Sequence, residues 1–145
     1  MADTVEVKYI YPPEWDGNAS DDQRVGWKKF IVRLSGISDG SGETDVKKVD
    51  ISELRMTDGS VPTRTSIEWI EWHCFGITCV LEWDRAPHEI IKRINANGVE
   101  SSGKSCNTIS DPSDGTDGTG DILLTTTNAD SGDTYDITLC IKLKK

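Results

Sequence analysis

The sequence predicts an all-β protein, a single β-sandwich or jelly-roll-like domain with an extended N-terminal arm. Three observations carry that expectation. Apolar and polar residues alternate with period two, the repeat of a half-buried strand. Segments rich in β-branched and aromatic residues recur at short, fairly regular spacing. Clusters of Gly, Ser, Asp and Asn separate them. Seven or eight such strands favour a sandwich or jelly roll over an alternation of strands and helices.

The first strand places Val5, Val7, Tyr9 and Tyr11 on one side and Glu6 and Lys8 on the other. Pro12-Pro13 ends it, because proline cannot donate to a ladder. Residues 12–24, "PPEWDGNASDDQR", are polar, acidic and without period, so residues 1–25 read as a strand and arm and residues 26–145 as the sandwich. "WKKFIVRLSGI" is a second strand, and "SDGSGETD" connects it to "DVKKVDISEL". After "TDGSVPT" come "SIEWIEWHCFG" and "ITCVLEWD". "PHEIIKRINANG" has a proline start and glycine stop that suit a short helix, yet its β-branched content suits a strand, and strand is the reading we adopt. "GDILLTTTN" follows the turn tract "DPSDGTDGTGD". In the closing "YDITLCIKLKK", Tyr135, Ile137, Leu139, Ile141 and Leu143 form one apolar face.

The 145 residues suit one domain with a core of its own. Apolar content is low at 35%, and five Trp offset this with large apolar surfaces. The net charge of −9 repels phosphate backbones, so nucleic acid is not an expected partner. No window suits a membrane span, and no secretory leader is visible. Synthesis inside a cell with the four cysteines reduced is therefore the expectation.

Each candidate site has an ordinary counterpart. Asp111, Asp114, Asp117 and Asp121 resemble a calcium loop in composition, but their spacing lacks an EF-hand's every-second-residue ligands and closing Glu. Asp-Gly and Ser-Gly pairs are turn chemistry, so we expect turns and no metal. His73 and Cys74 are adjacent on a strand and point to opposite faces, which rules them out as a dyad with each other. Cys74 and Cys79 flank "FGIT" and are placed to face each other across a hairpin, or to sit as small apolar residues. Trp69 and Trp72 are three apart, so one of them leaves the core face and becomes a candidate exposed aromatic. Glu68, Glu71, Glu82 and Asp84 surround the aromatic strands without a spacing that fixes a glycosidase pair. No nucleophile elbow, P-loop or dinucleotide fingerprint occurs. The reading assigns no catalytic residue, no cofactor and no enzyme activity.

The order "SDGSGE…VKKVDIS", "LEWD" and "GDILLTT…SGDTYDITL" resembles a family of small β-rich structural proteins of tailed bacteriophages, from about residue 26 to the C-terminus. Residues 85–110, with Cys106, depart from that pattern. The resemblance implies a virion component at the capsid surface, most specifically a head-decoration (cement) protein whose partner is the major capsid protein. It also implies a homo-oligomer, with a trimer on a capsid three-fold axis as the natural form. Interface anchors are expected at Tyr9, Tyr11, Trp15 and Trp27, because aromatics concentrate at interface centres. Lys142 and Lys144 of the basic tail are expected to meet an acidic shell. The alternative is a carbohydrate-binding or adhesion module on the virion that uses Trp69 or Trp72.

Overall fold

A computed structural model of the chain describes residues 4–11, 29–56, 58–85, 87–101, 109–110 and 118–144. Ten strands run in chain order: β1 (Thr4–Tyr11), β2 (Lys29–Ile37), β3 (Val46–Val49), β4 (Arg64–Phe75), β5 (Thr78–Arg85), β6 (Glu89–Ile94), β7 (Asn97–Ser101), β8 (Ile109–Ser110), β9 (Gly118–Thr127) and β10 (Thr134–Lys144). Two antiparallel sheets result. The first has the order β1-β2-β10-β4-β7, with β8 also pairing β4, and the second the order β3-β9-β5-β6. Without β1 and β8, the strands 2-10-4-7 face 3-9-5-6. That is the winding of an eight-stranded jelly roll, in which the chain crosses between sheets at every step except β5–β6. The all-β sandwich expected from the sequence is what the chain forms.

Period two explains the packing. Leu34, Ile137 and Trp72 stand in one row across β2, β10 and β4, and Val32, Leu139 and Ile70 in the next. Leu34, Ile137, Val32, Leu139 and Ile70 are fully buried. Leu81 and Trp83 of β5 and Ile122 and Leu124 of β9 close the core from the second sheet. Each such side chain contributes about 1.5–3 kcal/mol by leaving water.

The segment read as strand rather than helix is indeed β-structure. It is divided between β6 in the second sheet and β7 in the first. Two expectations change. β4 and β5 are not a hairpin, because they belong to different sheets and Gly76-Ile77 turns the corner between them. Tyr9 is not a surface anchor. It is buried against Phe30, with ring centroids 5.8 Å apart, because its row continues into Val32 and the core.

Gly36 shows how tightly the end of the first sheet is closed. A Cβ there would lie 2.6 Å from Cε1 of the buried Tyr135 ring. We expect Gly36→Ala to lower unfolding free energy by about 1–3 kcal/mol in urea titrations, from overpacking. An unchanged midpoint would mean that the ring moves aside freely.

Candidate functional site

The functional features gather at one end of the sandwich, where β2 leaves for β3 and β4 turns into β5. The acidic tract after β2 crosses between the sheets and sends Glu43 inward. Glu43 is anchored by its backbone: its N–H donates to Thr126 Oγ1 at 2.8 Å, and its carbonyl accepts from the Thr126 N–H at 3.0 Å. Its carboxylate pairs with Lys48 Nζ at 2.6 Å, with the two side chains only 7% and 2% exposed. Tyr135 completes the group by donating its hydroxyl to Glu43 Oε2 at 2.6 Å. The tract is therefore a connection, as expected, but one that carries a buried ion pair between the sheets.

Beside this network lie Cys74 and Cys79, both free thiols. Cys79 is in the core, and Cys74 packs partly buried against it. The hydrogen bond from Cys79 lowers the Cys74 pKa from the usual thiol value, and the positive field of His73 adds to this. Cys79 is pushed strongly upward by the same hydrogen bond and by burial.

The outer surface at this end is apolar and uncovered. Ile37 and Phe75 flank Thr134 in one row of the first sheet and are 54% and 75% exposed. Val5 and Val7, on β1, are 43% and 38% exposed. Their row runs into the core at Gly36 and Leu34, yet β1 lies at the margin of its sheet, where the inner face is only partly covered. A groove of about 410 Å³ lies here, lined by Val5, Glu6, Ile37, His73 and Asp136 among others. Its rim is charged. Arg33 grips Asp136 with two hydrogen bonds of 2.9 and 2.5 Å. His73 contacts Glu71 and Asn97 at 3.2 Å each, and the Glu71 contact leads in raising the imidazole pKa above its usual value.

The two tryptophans do leave on opposite faces. Trp72 is half-buried on the core side. Its Nε1–H donates to the Asn95 carbonyl at 3.0 Å, and Lys92 Nζ sits 5.5 Å from a ring centroid. Gly98 meets the ring so closely that a Cβ would lie 2.3 Å from Cζ2. Trp72 therefore packs at the β6–β7 crossover, beside Lys92 and Gly98. Trp69 pairs with Cys140 on the other side and is half-buried.

Tyr11 ends β1 at 44% exposure, and Lys142 pairs with Lys29 and Ser66 on half-buried β10 backbone. Lys144 pairs with Arg64 at the end of the strand, and its side chain lies outside the described residues. Trp15, Trp27, Cys106, Asp111, Asp114 and Asp117 also lie outside them. Asp121 is buried and committed: it accepts from the Ile51 N–H at 2.8 Å and pairs with Lys47 at 2.9 Å. Among the described residues, Asp45, Glu82 and His88 form the group that could hold a cation, with ligand atoms within 4.8 Å of one another. His88 also faces Asp84 at 3.6 Å.

Sequence reasoning missed Glu43 and Lys48, since a charged residue in a Gly/Ser/Asp tract reads as surface. It also missed Ile37 and Phe75, which carry no signal beyond being the last residues of their strands. Compared with protein-family models, with curated proteins and with solved structures, the chain matches none.

Two tests follow from this geometry. Glu43→Gln leaves the buried Lys48 without its carboxylate, and should cost about 3–5 kcal/mol in denaturant unfolding. The double change Glu43→Leu with Lys48→Met should recover most of that loss, and equal losses in both proteins would remove the ion pair as the cause. The His73 imidazole should titrate by NMR above the usual histidine value. Glu71→Gln should bring it down, because the carboxylate favours the protonated ring.

Proposed function

We propose that this chain is a non-enzymatic structural protein of a phage virion, a head-decoration protein that binds the outer capsid shell and ties neighbouring capsomers together. The carrying observation is the exposed apolar row of Ile37 and Phe75 on the outer face of the first sheet, with Val5 bordering the groove beside Ile37. Clustered exposed apolar side chains ringed by charge are the surface that a protein partner covers. β1 adds a sheet margin, and a sheet margin can take up an extended segment of a partner by strand addition. The partner is the major capsid protein, in keeping with the resemblance to phage structural proteins. The net charge of −9 keeps free copies apart, so that contact is made with the shell rather than with one another in solution. A trimer on the shell would present three such ends at once, and modest contacts would add through multivalency. The jelly-roll winding is shared by viral capsid and lectin domains and so does not itself choose between them.

The test is co-sedimentation of the purified protein with shells assembled without it, followed by a heat challenge. The protein should pellet with the shells and raise their resistance to heat. A variant with Ile37→Asp and Phe75→Asp, both exposed and outside the core, should keep its fold and bind about tenfold or more weakly. No pelleting of the wild-type protein, or equal binding by the variant, would overturn the proposal.

A further inference from the structure

Cys74 is the penultimate residue of β4 and Cys79 the second residue of β5. They sit on either side of the corner at Gly76-Ile77 by which the chain passes from the first sheet to the second. Both side chains turn inward. Cys74 stands in the row of Tyr135 and Gly36, and Cys79 is fully buried. Cys79 belongs to the core cluster and Cys74 packs against that cluster; each thiol shifts the pKa of the other. Access is one-sided. A surface depression of about 180 Å³, lined by His73, Cys74, Phe75, Asn97 and Thr134, opens Cys74 to solvent, while Cys79 lies behind it.

We propose that Cys74 and Cys79 are a redox-modification site, a dithiol that a peroxide closes into a disulfide bridging the two sheets at their corner. The geometry gives the thiols different tasks. Cys74, reachable from the depression, is the attacking sulfur, and Cys79 is the resolving one. The Cys74 thiolate attacks one peroxide oxygen. An S–O bond forms, the O–O bond breaks, and hydroxide leaves to become water. Cys74 is then a sulfenic acid. Cys79 sulfur attacks Cys74 sulfur, the S–S bond forms, the S–O bond breaks, and the departing oxygen leaves as a second water with the proton of Cys79. Two thiols are oxidised and one peroxide is reduced. The downward shift at Cys74 and upward shift at Cys79 agree with this order, since the thiolate is the nucleophile. Cys140 is not suited to the first step, because burial leads in raising its pKa and Glu68 adds to this. The inference does not depend on the capsid reading. A protein that folds in a reducing cell and later meets an oxidising medium would gain a staple after folding.

The test uses the full wild-type chain, reduced, exposed briefly to hydrogen peroxide under native conditions and then alkylated. Trypsin cuts at Arg64 and Arg85 and releases both cysteines in one peptide. The peptide from Ser105 to Lys142 carries Cys106 and Cys140 and serves as internal control. The expected result is a 65–85 peptide lighter by the mass of two hydrogens and closed to alkylation until reduced, with the control peptide alkylated twice. In Cys79→Ser, Cys74 should be trapped as a sulfenic acid by a dimedone probe. In Cys74→Ser, Cys79 should resist the same treatment. Alkylation of both Cys74 and Cys79 after oxidation, or linkage of Cys74 to a different peptide, would overturn the site. Equal probe labelling of Cys79 in Cys74→Ser would overturn the order of attack.

Discussion

A carboxylate and an ammonium buried between two sheets govern one end of this molecule. Taking both ions from water is costly, and their attraction offsets the cost only when the geometry is close and the remaining lone pairs are used. Here Lys48 takes one oxygen of Glu43 and Tyr135 the other. The three side chains come from β3, from the tract after β2 and from β10, so the pairing joins the second sheet to the first. Neighbouring features conform to it. Thr126 of β9 fixes the Glu43 backbone. Gly36 must lack a side chain so that the Tyr135 ring can lie across β2. Cys79 packs in the same core and feels both charges.

The same end joins an ordered interior to an uncovered exterior. Phe75 follows Cys74 on β4, so the thiol faces inward while the ring faces out. Any bond between Cys74 and Cys79 would therefore stiffen the strand end that presents Phe75. Ile37 stands one strand beyond Thr134 in the same row. The binding surface proposed for the shell thus rests on a corner held by a buried ion pair and lined by two thiols.

Much of the fold was legible because strand periodicity is a local signal. The five apolar residues of β10 are all buried, and the alternation in "YDITLCIKLKK" alone places them together. The opposite faces of Trp69 and Trp72 followed from their spacing. Periodicity does not say what lies across a face. Val5, Val7 and Tyr9 share one side of β1, yet Tyr9 is buried and the valines are not, because the second sheet covers only part of the marginal strand. The chain likewise gave no sign that β4 and β5 part at Gly76-Ile77. That split turns an apparent hairpin pair of cysteines into a pair across a sheet corner. Glu43 and Lys48 were hidden for a different reason. Charge argues for the surface at every position taken alone, and only the pair, with Tyr135 some ninety residues away, makes burial tolerable.

Imaging would show whether the proposed surface at this end of the sandwich meets a capsid. Shells assembled without the protein would be mixed with it and examined by cryo-electron microscopy. Decoration should give added density at regular lattice positions on the outer surface, with the β1 margin and the Ile37–Phe75 row turned toward the shell. Bare shells, or density confined to a single vertex or a tail, would contradict it.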